Sequence, residues 1–290
     1  MIVFFGQGGL GNQLFQYAAA RRLAEQTGQE LVLDAHWFEN PRKGETPRAL
    51  ELTKYPLSFR MATGGEQQRW RFIRGRFGSK LSFLYDLTLL KEQGTTADSR
   101  VLSSTGNCYL LGYWQSEKYF NDIRDILVEE LKPRLPTSSE DDAVMALMSG
   151  SNSVSLHVRR GDYVSLQSAA SYHGVCSLSY YNKAVLHMKE QLGDGLKFFV
   201  FSDDPDWVKE NLNLDAEVVY VSHNSPDDAF QDLRLMSACK HHILANSSFS
   251  WWGAWLGEWR DGLVIAPSRW YVSGKETPDL LPKEWLKIDA

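Results

Sequence analysis

At 290 residues the chain is long enough for two modest domains or one large one. Hydrophobic residues make up 43% and charged residues 23%, ordinary globular usage that excludes a disordered or fibrous protein. The net charge of −5 gives nucleic acid no electrostatic hold, so no nucleic-acid partner is expected.

The N-terminal run MIVFFGQGG has no basic flank and is too short for a secretory signal. Met1–Phe5 reads as a buried strand ended by glycines. Asn12 to Gln26 carries Leu14, Phe15, Ala18, Ala19 and Leu23 at helical spacing, with Gly28 as the stop. Leu31–Asp34 reads as the second strand, and strand–helix–strand implies a parallel sheet. Between Pro41 and Ser104 the pattern weakens. It returns at Tyr109, in YLLGYWQSEKYF, and a helix is predicted over Ile123–Leu131, ended by Pro133. Pro136 to Ser139 is the candidate domain boundary, giving domains 1–136 and 137–290.

The second half alternates cleanly. Strands are predicted at Val154–Arg159, Lys197–Ser202, Glu217–Val221, His242–Asn246 and Gly262–Ala266. Helices are predicted near Ser179–Leu192 and at Pro205–Leu212, Pro226–Cys239 and Trp251–Trp259. This is an α/β chain with two Rossmann-like halves around a cleft, so ligands are expected at the carboxyl ends of strands. No stretch approaches the roughly 18 apolar residues of a membrane span, and any membrane association is expected to be peripheral. The three cysteines, Cys108, Cys176 and Cys239, are odd in number and form no CxxC; they read as reduced thiols of a cytoplasmic protein.

Four constellations carry chemistry. Gly6, Gly8 and Gly11 form a literal GxGxxG between strand and helix, and Asp34 ends the next strand. That is a dinucleotide fingerprint and supports an NAD-dependent oxidoreductase as an alternative; a plain glycine turn is the other. Asn12 and Gln13 add two amides at the turn, and Asn12 reads either as a site residue or as a helix cap. The second constellation is His157, Arg159, Arg160 and Asp162 at a strand end. Paired arginines there suit a pyrophosphate, because the guanidinium fork stays charged; a surface ion pair with Asp162 is the plainer reading.

Third, Ser202-Asp203-Asp204-Pro205-Asp206 imitates a DxD metal motif, yet Pro205 suits a first helical position with Ser202 or Asp203 as cap. A strand-end carboxylate that contacts a base is compatible with that capping, and no metal is expected. Fourth, Asn246-Ser247-Ser248 opens a helix and forms a phosphate cradle or an ordinary cap by Ser248 or Ser250. The adjacent His241 and His242 face opposite ways in a strand and read as structural. Arg69, Arg71, Arg74, Arg76 and Lys80 interleave with aromatics, as a membrane-surface patch or a solvated helix does.

At GGLGNQLFQYA, GYWQSEKYF, HVRRGDYVS, HGVCS, FSDDPDW and MSACKHHILANSSFSWWGAWL the chain closely resembles the α1,2-fucosyltransferase family, above all its bacterial members. HxRRxD is shared with α1,6- and protein O-fucosyltransferases; its combination with NSSFSWWGAWL marks the α1,2 group. The resemblance implies a GT-B-like fold, with acceptor binding on the N-terminal side and donor binding on the C-terminal side. It implies inverting transfer of L-fucose from GDP-fucose, as co-substrate, to the 2-OH of a terminal galactose. No cofactor and no metal are implied. Arg159 would hold the pyrophosphate, with Arg160, Gly9, Gly11 and the turn Asn246, Ser247 and Ser248 completing the donor site. Asp203 and Asp204 would contact guanine, and Asn12 would stand beside the reaction centre. His157, Asp162 and His173 are candidate proton acceptors. Trp37, Trp114, Gln115 and His173 are acceptor-side candidates for a galactose-terminated oligosaccharide or lipid-linked glycan. Location is expected to be cytoplasmic, with the segment from Arg69 to Lys80 able to meet the inner membrane face. A fucosyltransferase of another linkage, or a sugar-nucleotide sensor without turnover, stays as an alternative.

Overall fold

A computed structural model describes residues 1–40, 47–75, 82–161 and 174–290. The chain divides into two compact units, Met1–Arg134 with Pro278–Leu280, and Leu135–Thr277 with Leu281–Ala290.

The first unit opens with β1 (Ile2–Phe5), α1 (Leu10–Thr27) and β2 (Leu31–Asp34). Every residue of β1 and β2 is buried, as expected of strands covered on both faces. α1 starts two residues before the predicted Asn12, because the N-cap is Gly9, and ends at Gly28 in the left-handed region, φ 65°. The weakly patterned stretch supplies β3 (Arg60–Met61), α2 (Gly64–Arg74) and β4 (Thr88–Lys91); β5 (Cys108–Leu111) follows. The sheet order is β3-β2-β1-β5-β4, all parallel. A helix α3 (Arg124–Glu130) closes this part of the chain. Asp279 belongs to the same unit: its carboxylate accepts from the Ala97 N–H at 2.8 Å and its carbonyl from the Ser116 hydroxyl at 2.6 Å.

The second unit begins at α4 (Ser139–Ser149), opened by a capping box between Ser138 and Asp141. Then come β6 (Asn152–Val158), α5 (Leu178–Leu192), β7 (Leu196–Ser202), α6 (Pro205–Asn211), β8 (Glu217–Val221), α7 (Ala229–Ala238), β9 (His241–Ile243), α8 (Ser248–Trp255), β10 (Val264–Pro267) and β11 (Leu286–Ile288). The sheet order is β11-β10-β9-β6-β7-β8, again all parallel. The α/β class with two Rossmann-like halves is therefore as the sequence predicts. Val154, Leu156 and Val158 pack with Tyr180, Tyr181 and Val200 in one core cluster. Phe199 and Phe201 pack with Leu235 and Met236 in another.

In the second unit three predicted helices differ in their starts or caps. α8 runs three residues ahead of the predicted start because Ser247, not Ser248 or Ser250, caps it through the Phe249 N–H. α6 is capped by Asp204, not Ser202 or Asp203. The helix predicted from Pro226 begins as a 3₁₀ turn, Pro226–Asp228, before α7. Among the described residues no helix is long and apolar enough to cross a membrane.

Candidate active site

The glycine turn after β1 is built by its own amides. Gly8 sits at φ 80°, where an added Cβ would lie 2.8 Å from Asn12 Nδ2, so both conformation and space call for glycine. Gly9 caps α1 without a side chain, and Gly11 is buried in the first turn. Gln13 and Gln16 are fully buried and serve the backbone. Gln13 Nε2 donates to the carbonyls of Gly8 (2.9 Å) and Ala49 (2.8 Å), and Gln13 Oε1 accepts from the Glu51 N–H at 2.9 Å. Gln16 exchanges two hydrogen bonds with the Gln7 backbone. Asn12 differs. It lies within the first helical turn with no capping bond, half-buried, and Gln115 Nε2 donates to its Oδ1 at 2.7 Å. The capping role for Asn12 is thereby replaced by a contact across to the loop after β5.

Asp34 is not free for a ribose. It is 0% exposed, ion-paired to Arg74, and accepts from the Tyr109 hydroxyl at 2.6 Å and the His36 N–H at 3.1 Å. This removes the acidic partner the NAD reading needs. Arg74 is likewise withdrawn from the basic surface patch. Arg69, Arg71 and Phe72 stay exposed on α2, Trp70 and Ile73 are core, and Arg76 and Lys80 lie outside the described residues. Trp37 and Trp114 are buried in the first unit, so neither presents a face to a sugar. Asp162 and His173 lie outside the described residues.

In the second unit the register sets the site. Val158 pairs with Ser202 and Leu156 with Ile243, so the turns after β6, β7 and β9 leave the same edge of the sheet. Arg159 Nη1 lies 2.9 Å from Asp203 Oδ2, and the Arg160 N–H donates to Asp203 Oδ1 at 2.8 Å. Arg160 Nε donates to Asp204 Oδ2 at 3.1 Å, and its guanidinium lies over the Trp207 ring, 3.6 Å from the centroid. A Cβ at Gly161 would stand 2.5 Å from Asp203 Oδ2; the glycine lets that carboxylate close on the turn. Both strand-end aspartates are thus engaged by the arginines of the neighbouring strand end. The cation–π seat on Trp207 was not foreseen, although Trp207 sits inside the FSDDPDW motif.

His157 is 5% exposed and its Nδ1 has no hydrogen-bond partner. Burial, with the Arg159 charge beside it, pushes the imidazole down to about 3. It is neutral at ordinary pH and a poor proton acceptor. Asn246 is 4% exposed and braced: its Nδ2 donates to the carbonyls of Gly174 and Trp270, both at 3.3 Å, and its Oδ1 accepts from the Cys176 thiol. Ser247 caps α8, and Ser248 is the first residue of that helix. His242 Nδ1 lies 2.8 Å from Ser155 Oγ, and His241 bonds Asn152 and the Leu263 N–H, so both histidines serve the sheet. Among the described residues no group of three or more His, Cys, Asp or Glu side chains is arranged to hold a metal.

Residues 90–289 match the model of glycosyl transferase family 11. The chain belongs to that family. It is 34% identical to an α-1,2-colitosyltransferase of Escherichia coli, over 97% of each chain. It is 31% identical to the O-antigen biosynthesis glycosyltransferase WbnK of Escherichia coli, over 97% of this chain and 98% of that protein. A galactoside α-(1,2)-fucosyltransferase 1 of Lagothrix lagotricha is 26% identical over 47% of this chain and 38% of its own. This glycosyl transferase family 11 chain is thus a glycosyltransferase of the fucosyltransferase family, and the oxidoreductase alternative is overturned by the family match and by the engagement of Asp34.

Proposed function

We propose that the protein transfers L-fucose from GDP-fucose to the 2-OH of a terminal galactose, with inversion and without a metal. The observation that carries this is the pair of arginine–aspartate contacts at the ends of β6 and β7. As the bond from C1 to the β-phosphate oxygen breaks, positive charge grows on the sugar and negative charge on the phosphate. A preformed guanidinium at that phosphate stabilises the developing charge most where it is held in place beforehand. Arg159 takes this role, with Asp203 keeping its fork in register. Arg160, tied to Asp204 and Trp207, braces the turn. The Ser247–Ser248 start of α8 offers the phosphate a helix N-terminus, and the braced Asn246 holds that turn in place.

In this reading Gly9 and Gly11 leave backbone room for the donor, and the Asn12 amide orients the sugar or the leaving oxygen. The acceptor oxygen bonds C1 from the opposite face as the bond to the β-phosphate oxygen breaks, GDP departs, and the hydroxyl proton passes late to solvent. His157, held neutral by burial, acts as a hydrogen-bonding group and not as the base. Action on a lipid-linked glycan in the cytoplasm would use the exposed Arg69, Arg71 and Phe72 of α2.

The colitosyltransferase relative favours one second reading, in which the transferred sugar is colitose, the 3-deoxy form of fucose. Incubation with a β-galactoside and either GDP-fucose or GDP-colitose separates the two. The expected result is GDP release and an α1,2-linked fucosyl product; turnover with GDP-colitose alone would replace fucose by colitose. Thermal stabilisation by GDP and not by NADH is the accompanying binding result, about 2.7 kcal/mol at 100 times the dissociation constant.

A further inference from the structure

We propose that Glu92 is a positioning residue for the transfer reaction, holding a strained turn that aims Gln115 at the Asn12 amide. This rests on the reading above that Asn12 acts on the transferred sugar.

Glu92 directly follows β4, and its N–H donates to the Leu111 carbonyl at 3.0 Å, prolonging the β4–β5 ladder by one bond. Its side chain then grips the loop after β5 with both oxygens. The Tyr113 N–H donates to Oε2 at 2.8 Å and the Trp114 N–H to Oε1 at 2.8 Å. Backbone donors bond a carboxylate more strongly than a neutral acceptor. The grip is close: a Cβ on Gly112 would lie 2.4 Å from the Glu92 Cβ and 2.8 Å from Oε2.

What the grip holds is a conformation the chain disfavours. Trp114 sits at φ 57°, in the left-handed region that a bulky residue rarely enters. Its ring is 0% exposed and packs edge-on against Tyr119, 5.6 Å between centroids, so the residue cannot relax by swinging outward. The turn is pinned beyond that point as well. The Ser116 N–H returns to the Trp114 carbonyl at 2.8 Å and the Ser116 hydroxyl donates to Asp279.

Between these pins stands Gln115, whose Nε2 donates to Asn12 Oδ1 at 2.7 Å. That bond fixes which way the Asn12 amide is turned: oxygen to Gln115, NH₂ to the other side. An amide that must meet a sugar or a leaving oxygen gains from having its rotation settled before substrate arrives. Strain of this kind needs a local structure that over-determines it, and Glu92 is the group that does so.

The test is a variant series read as kcat, KM and GDP affinity. Glu92→Gln keeps the shape and one acceptor oxygen, and Glu92→Ala removes both. Turnover is expected to fall on the order of tenfold in the glutamine variant and on the order of a hundredfold in the alanine variant, since a displacement of about 1 Å costs that much. GDP affinity stays near that of the parent, while the alanine variant melts a few degrees lower, about what the loss of bonds to a charged acceptor costs. In a Gln115→Ala background, Glu92→Ala should change turnover by no more than about threefold, because the two act through one route. Full turnover in Glu92→Ala beside an impaired Asn12→Ala overturns the proposal. Losses that multiply with Gln115→Ala overturn it, and so does a fall in GDP affinity parallel to turnover. If Asn12→Ala is itself fully active, the reading of Asn12 has failed and the proposal falls with it, a result distinct from the others.

Discussion

In the first unit, the turn after β1 carries no ionisable side chain from Gly6 to Gln16; its polar groups are the amides of Gln7, Asn12, Gln13 and Gln16. In the second unit, the turns after β6 and β7 carry Arg159, Arg160, Asp203 and Asp204, locked in two ion pairs. Both regions are strand ends of parallel sheets, yet they are made of opposite materials. Neutral amides orient hydroxyl groups and ring oxygens without attracting a diphosphate. Guanidinium forks held by carboxylates suit a diphosphate, and the carboxylates offset the mutual repulsion of two adjacent cations. Under the proposed function the contrast would put charge handling in the second unit and orientation of neutral groups in the first.

The sharpest way to break this division is at Arg159. Arg159→Lys should be nearly as damaging as Arg159→Ala, because the ammonium cannot reproduce the planar fork. The expected loss is on the order of a hundredfold or more in kcat, as for removal of one oxyanion donor. Steady-state kinetics decide it: near-parental turnover in the lysine variant would take charge handling away from this residue.

Asn12 is the counterpart in the first unit, with a smaller expected effect. Asn12→Ala should lower kcat on the order of 10- to 100-fold while GDP affinity changes only a few-fold, the pattern of an interaction made mainly in the transition state. Because Gly9 caps α1, Asn12→Ser should give no compensating cap and should be as impaired as alanine. Calorimetric titration with GDP beside the kinetics checks the split; equal losses in GDP affinity and kcat would place Asn12 in nucleotide binding.

These two residues were legible in the sequence, but the contacts that distinguish them were not. Strand, turn and helix around Gly6–Gly11, and the alternation from β6 to β10, follow from apolar runs bounded by polar turns. β3 and β4 were missed because their cues are weak: β3 is two residues of an edge strand, and in β4 only Leu90 is deeply buried; α2 was read only as one alternative for its segment. Which arginine meets which aspartate depends on the β6–β7 register across some forty intervening residues, and no local pattern encodes that. Arg74 read as part of a surface patch, yet it turns inward to Asp34, a partner 40 residues away in the chain. Asn246 read as part of a phosphate cradle or cap, and its bonds to the Gly174 and Trp270 carbonyls could not be read from the sequence. Long-range polar pairing of this kind is settled by packing and leaves no periodic trace.

Arg160 tests whether the two ion pairs are equivalent. It lies on Trp207 and bonds Asp204 through Nε, so its fork is directed at the protein. Arg160→Lys keeps the charge near Asp204 and part of the contact with the indole, and should cost about threefold in kcat, far less than the same change at Arg159. Equal losses at the two positions, measured side by side, would mean that both guanidinium groups meet the phosphate.

The smallest expected effect is none at all: turnover should survive exhaustive chelation. The sequence Asp204-Pro205-Asp206 has the spacing of a metal motif, and a divalent ion on a nucleotide usually takes carboxylate oxygens from the protein. Here the two carboxylates serve other ends. Asp204 caps α6, accepting from the Trp207 N–H, and its second oxygen accepts from Arg160. Asp206 lies in the first turn of that helix, 88% exposed, and pairs with Lys209 at 3.4 Å. A cation at this position would have to displace Arg160 from Asp204, exchanging one positive charge for another and leaving the guanidinium on Trp207 without its carboxylate. In the proposed reading Arg159 is the group that meets the charge on the leaving phosphate. Removal of divalent ions with EDTA should therefore leave kcat and KM unchanged, and added Mg²⁺ or Mn²⁺ should not raise them. Activity lost on chelation and restored by either ion would return Asp204 and Asp206 to metal binding, and would make the second unit's charge handling the joint work of an ion and Arg159.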